Sequence, residues 1–195
     1  MKSLKNHSVL AGFTLVQTLV VLAILAVLAA LFLPSGSIAL KNGKRRTNES
    51  MLTAVESALE LYHDEYGEFP EPSNSDETAE VMPGKVYRIG AARCLYQAMT
   101  GEAGDAIQQR TKDESGLRIF KDMPSSFWRD VGGKRILVDA FGAPFQYTKA
   151  EAGQNNTVNS TYDLWSFSGD DENIMATSKQ TESNPQLGSK WIKNW

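Results

Sequence analysis

A single cysteine in 195 residues excludes an internal disulfide, so this chain is not a disulfide scaffold. Two histidines beside it leave too little for a His/Cys zinc site. Excess positive charge is missing as well: 20 Lys and Arg stand against 23 Asp and Glu, and the net charge of −3 gives no general reason to expect nucleic acid as a partner. There is no Gly-x-Ser-x-Gly elbow, phosphate-cradling loop, dinucleotide fingerprint or His-Glu-x-x-His. His63 lies among Glu and Asp on a helical pattern and reads as a solvated helix residue, while Asp139 and Asp163 read as structural carboxylates. No enzymatic activity is expected. What is present is a hydrophobic share of 42%, that of a folded protein, in a length suited to one domain plus an appendage.

Those apolar residues are unevenly spread. From Asn6 to Leu40 there is no Asp, Glu, Lys or Arg, and Leu19 to Leu33 is an unbroken apolar run. Extension back to Phe13 adds only Thr14, Gln17 and Thr18 as polar members. As a helix, 13–33 would be about 31 Å long at about 1.5 Å per residue, which matches a hydrocarbon core of about 30 Å. A buried core helix of that length is hard to accommodate in so small a protein, so residues 13–34 are expected to span a membrane once. A cleaved secretory signal has an apolar stretch of about 7–15 residues, and this run continues past Ala26-Val27-Leu28-Ala29 to Leu33. Flanking charge is equivocal and taken alone leans slightly against a cytoplasmic N-terminus: Lys2 and Lys5 precede the run, and Lys41, Lys44, Arg45 and Arg46 follow it.

Beyond Pro34 the pattern changes. Leu52, Val55, Leu59, Tyr62 and Tyr66 recur at three- and four-residue spacing, with Glu56, Glu60, His63 and Asp64 between them. That is one apolar stripe on an amphipathic helix over 39–66, ended by Gly67 and Pro70. Residues 35–70 therefore read as the continuation of the membrane helix and 71–195 as a globular head. A small sheet is the natural cover for the stripe. The fold class is α+β, a long N-terminal helix packed on a small antiparallel sheet. Within the head, Glu71 to Gly84 reads as a loop. Ile89, Ala92, Leu95, Tyr96 and Met99 mark a second helix ended by Gly101, with Cys94 as a buried thiol. Residues 102–116 are loop-like, and Leu117 to Val131 is ambiguous, with Phe120, Phe127 and Trp128 as packing residues. Strands are expected at Arg135–Phe141, Pro144–Thr148 and Tyr162–Phe167, the first two as a hairpin about Gly142-Ala143. The last alternates poorly, as a strand covered on both faces does.

Residues 11–18, Ala-Gly-Phe-Thr-Leu-Val-Gln-Thr, resemble the type III signal of prepilins: a short basic leader ending in Gly, then Phe-Thr-Leu-(Val/Ile)-Glu. Ala58-Leu59-Glu60-Leu61-Tyr62 and Tyr66-Gly67-Glu68-Phe69-Pro70 resemble the end of the long helix in major pseudopilins of type II secretion. Asp139 to Tyr147 (DAFGAPFQY) is similar to that family's DPWGNPYxY segment, Tyr162 to Asp171 (YDLWSFSGDD) to its YDLYSYGADG segment, and Ile192-Lys193-Asn194-Trp195 to its IxNW end. Residues 71–134 are longer than the family's middle and match it poorly.

The resemblance implies a pilin-like fold and a structural role. A leader, 1–12, would be cut after Gly12 by a prepilin peptidase, with N-methylation at Phe13. The helix of 13–34 would remain, single-pass, in a bacterial inner membrane, with the C-terminal domain in the periplasm. Pro34 sits where pilin-like proteins often place a helix-kinking proline. Copies of the chain and other pseudopilins would then bundle into a helical filament on the inner-membrane secretion platform. A type IV pilin for adhesion, motility or DNA uptake is the alternative within the superfamily, and a single-span protein unrelated to pili the alternative outside it. Gln17 stands where the family has Glu, whose carboxylate pairs with a neighbour's N-terminal amine, so that pairing becomes neutral here. The basic residues Lys41 to Arg46 are assigned to interfacial anchoring or subunit contacts rather than to nucleic acid. The resemblance also implies calcium in the loop after 162–169. Asp170 matches a family ligand and Phe167 a carbonyl donor, Asp171 or Glu172 would replace a missing second Asp, and a solvated acidic turn is the alternative.

Overall fold

The computed structural model describes residues 15–102, 104–108 and 123–195, with backbone alone at 28–37. The chain divides into two units, 1–42 and 43–195. Helix α1 runs Leu15–Tyr66. Its first part belongs to the first unit and exposes large apolar side chains from Leu15 to Val27. Among the described residues no helix is long and apolar enough to cross a membrane. The expected span, 13–34, includes residues 13–14 and side chains from 28 onward, which lie outside the described ones.

In the second unit α1 shows the expected stripe. Met51, Leu52, Val55, Ala58, Leu59 and Tyr62 are buried, at the spacing that places them on one face. The helix stops at Tyr66 because Gly67 adopts φ 76° and donates its N–H to the His63 carbonyl at 2.7 Å. Next come β1 (Thr78–Met82), β2 (Lys85–Arg88), α2 (Gly90–Thr100), β3 (Trp128–Val131), β4 (Lys134–Leu137), β5 (Gln146–Lys149) and β6 (Tyr162–Ser166). A short α3 (Gln180–Ser183), a 3-10 turn (Pro185–Gly188) and β7 (Ile192–Lys193) close the chain.

The architecture is α+β, with three small antiparallel sheets, β1-β2, β3-β4 and β5-β6-β7, where one had been expected. The α1 stripe packs on Leu95 and Met99 of α2, Leu137 of β4, Tyr147 of β5, and Tyr162 and Leu164 of β6. A second apolar cluster joins Val81, Tyr87, Ile136, Trp165, Phe167 and Trp191. All five residues of β6 are buried, because Tyr162 and Leu164 face the first cluster while Trp165 faces the second. This is why the strand alternates poorly in sequence. Helix α2 is buried along its length and ends at Gly101 with φ 71°, and Cys94 within it is fully buried.

Three expectations need correction. Glu71 to Gly84 is not a loop throughout: β1 pairs with β2 about Pro83-Gly84, with Gly84 at φ 72°. The Pro- and acid-rich stretch before Thr78 obscured a short alternating strand that turns only Val81 fully inward. Arg135–Phe141 and Pro144–Thr148 do not form a hairpin. Strand β4 instead pairs with β3 about Gly132-Gly133, at φ 62° and 81°, the two consecutive positive values that a tight primed turn requires. Strand β5 pairs with β6. Between the two expected strands only Val138 and Pro144 bridge, around a turn in which the Asp139 N–H meets the Ala143 carbonyl at 2.8 Å. Of the ambiguous stretch, Trp128 to Val131 is strand, and 117–122, with Phe120, lies outside the described residues.

Candidate functional site

The processing residues Gly12 and Phe13 lie outside the described residues, as does the side chain of Pro34, whose backbone is helical within α1. Gln17 is exposed on α1. Around it Leu15, Val16, Leu19, Leu22 and Val27 are 61–80% exposed, and Val20, Val21, Ile24 and Leu25 are 46–55% exposed. A contiguous apolar surface of this kind is what soluble monomers avoid, and it marks contact with lipid or with other protein.

The acidic loop is built by β6. After Phe167 the backbone takes two left-handed residues, Ser168 at φ 51° and Gly169 at φ 80°. A side chain at Gly169 would press on the Phe141 ring at 3.1 Å, so glycine serves here for both conformation and space. The reversal lets the Asp170 N–H reach the Phe167 carbonyl at 2.9 Å. Asp170 is 2% exposed. One of its carboxylate oxygens accepts the Glu172 N–H at 3.2 Å, and the other accepts the Asn173 amide at 3.0 Å. Burial alone would push the Asp170 carboxyl up. The Asn173 and Glu172 donors and the Lys190 ammonium outweigh that and hold it below its ordinary value. Asp171 pairs with Lys85 at 2.5 Å, and Glu172 is exposed. The hydroxyls of Ser168 and Ser178 are buried without a hydrogen-bond partner. Among the described residues no three His, Cys, Asp or Glu side chains come together as a metal-binding group.

A second polar assembly, not anticipated as a unit, ties α1 to the head. Asn48 is fully buried. Its amide donates to Ser166 Oγ at 3.1 Å and its carbonyl oxygen accepts the Ala140 N–H at 2.6 Å. Ser166 Oγ donates to Asp139 Oδ2 at 2.5 Å, while Asp139 Oδ1 accepts the N–H groups of Phe141 at 2.8 Å and Ala143 at 3.0 Å. Asn48 was findable by extending the α1 stripe one turn back from Leu52, where a polar residue takes a core position. Asp163 likewise serves structure, accepting the Val158 and Asn159 N–H groups at 2.7 and 2.9 Å.

Two of the basic residues after the apolar run, Lys44 and Arg45, are engaged with the head. Lys44 lies 5.3 Å from the centroid of the Phe141 ring, and Arg45 donates to the Lys190 carbonyl at 2.9 Å. His63 stacks on Phe69 with ring centroids 4.6 Å apart. An apolar groove of about 400 Å³ lies between Met51, Val55, Met99, Phe127 and Leu137, and among the described residues no titratable side chain lines it. Burial pushes the Cys94 thiol well up, so it stays protonated. No family model, curated protein or solved structure matches this chain.

Proposed function

We propose that the chain is a filament subunit of a type II secretion-like pseudopilus, cleaved after Gly12, N-methylated at Phe13 and held in the bacterial inner membrane by the start of α1. Its work is assembly: apolar half-helices bundle with those of other copies and other pseudopilins, the heads pack outside, and growth of the filament on the secretion platform moves periplasmic proteins outward. Repeated head-to-tail contacts that do not close produce such a filament. Force comes from an ATPase elsewhere. The observation that carries the proposal is a change of regime within one helix. Leu15 to Val27 exposes large apolar side chains, whereas Met51 to Tyr62 buries a single stripe in the head. Lipid or neighbouring helices would supply the apolar surroundings that remove these side chains from water. The leader-like sequence Gly12-Phe13-Thr14-Leu15 stands immediately before it.

Intact mass and N-terminal sequencing of the protein recovered from its native membranes test the proposal. A chain beginning at N-methylated Phe13 is expected. A chain still starting at Met1, in cells with an active prepilin peptidase, would overturn it.

A further inference from the structure

The resemblance that brings calcium to the loop after β6 makes a demand that the residues do not meet. A calcium ion takes six to eight hard oxygens, with carboxylates carrying most of the charge. Here the buried carboxylate is Asp170, and the donors of Glu172 and Asn173 already occupy both of its oxygens. The Phe167 carbonyl, the expected main-chain ligand, accepts the Asp170 N–H. Asp171 points to Lys85, 2.5 Å away. Positive charge is also in place: the Lys190 ammonium acts on Asp170, and the Lys190 carbonyl is fixed by Arg45 at 2.9 Å. What remains are the buried Ser168 and Ser178 hydroxyls and the solvent-exposed Glu172 carboxylate. Two neutral oxygens and one carboxylate do not complete a shell of six to eight oxygens for a divalent cation.

We infer that this loop is a metal-independent clasp, in which the Asn173 amide and the Glu172 N–H together do for Asp170 what a divalent cation would do. Both donors come from the residues that follow Asp170, and Lys190 acts on it by charge alone. Closing the clasp therefore fixes the left-handed turn that ends β6. None of this depends on filament assembly, since the groups concerned all lie within the second unit.

The test is thermal unfolding of the full chain in detergent, followed by tryptophan fluorescence, in chelator and in calcium. Trp165, which lies two residues before the turn, stacks on Trp191 and meets Trp195 edge-on, so this cluster reports on unfolding of the second unit. At about 10 mM calcium, about ten times the weakest Kd of extracellular modules, a folding-linked site would raise Tm by roughly 3–6 °C. The expected result is the same Tm in both conditions, together with a lower Tm in chelator for Asn173→Asp, which sets a second carboxylate against Asp170. A calcium-dependent rise in the wild type would overturn the inference. An Asn173→Asp variant that melts like the wild type in chelator would overturn it independently.

Discussion

Asp139 takes hydrogen bonds from Ser166, Phe141 and Ala143, yet its burial outweighs them and leaves its carboxyl above the ordinary value of 3.8. For Asp170 the balance is reversed, and the carboxyl lies below that value despite burial. The two consequently respond to pH with opposite sign. Stability contributed by Asp139 is fully present below its unfolded pKa and is lost as pH rises through the folded one. That contributed by Asp170 is present above its unfolded pKa and is lost as pH falls through the folded one. In denaturant titrations the gap between wild type and Asp139→Asn should widen from about pH 7 to about pH 4, and the gap for Asp170→Asn should narrow. Asp139→Asn should cost about 1–3 kcal/mol overall, because its amide turns a donor toward groups that are themselves donors. Gaps that move in the same direction would show that burial does not govern Asp139. Both carboxylates were visible in the sequence. Their opposite environments were not, because Ser166 reaches Asp139, and the Lys190 charge acts on Asp170, from far along the chain.

Helix α2 shows how a glycine can be fixed by its neighbours rather than by its own dihedral angles. A Cβ on Gly90, its first residue, would stand 1.8 Å from the Asn74 carbonyl oxygen and 2.8 Å from the Asn74 carbonyl carbon. Alanine improves helix propensity by about 1 kcal/mol, but the obstacle is backbone and cannot swing aside as a side chain would. Arg93, one turn on, holds this part of the helix in place through Glu77 at 2.5 Å and Asp105 at 2.7 Å. The clash should win, so Gly90→Ala is expected to destabilise by about 1–3 kcal/mol net and to lower Tm by about 2–4 °C for each of those kcal/mol. An unchanged or raised Tm would mean that the 72–77 segment shifts freely. The helices were legible because their periodicity runs long: α1's stripe and α2's end at Gly101 follow from spacing alone. The β1-β2 and β3-β4 pairs were missed because each strand is four or five residues with few inward positions. In both cases the readable signal lay in the turn, Pro83-Gly84 and Gly132-Gly133, rather than in the strands.

For the whole molecule, the decisive question is what the first unit contacts, and Gln17 is the residue through which to ask it. On the function proposed above, residue 17 would lie in a bilayer, where a carboxylate is costly to hold and an amide is cheaper. In an apolar bundle the same carboxylate would attract a neighbouring N-terminal amine, whereas an amide is neutral. On that reading the exchange would favour the isolated subunit in the membrane over the subunit in a filament. Gln17→Glu should shift the chain toward assembly, raising severalfold the fraction recovered in sheared, sedimentable filaments when it is expressed with a secretion platform and prepilin peptidase. Thermal unfolding of the head should not change, because Gln17 belongs to the first unit. If the sedimentable fraction stays the same or falls, the amide is not what limits incorporation. The fold bears on this because Met51 to Tyr62 of α1 is fixed in the head by its buried stripe. On the proposed function, a substitution at residue 17 would change what the subunit joins while the buried stripe of the second unit keeps its contacts.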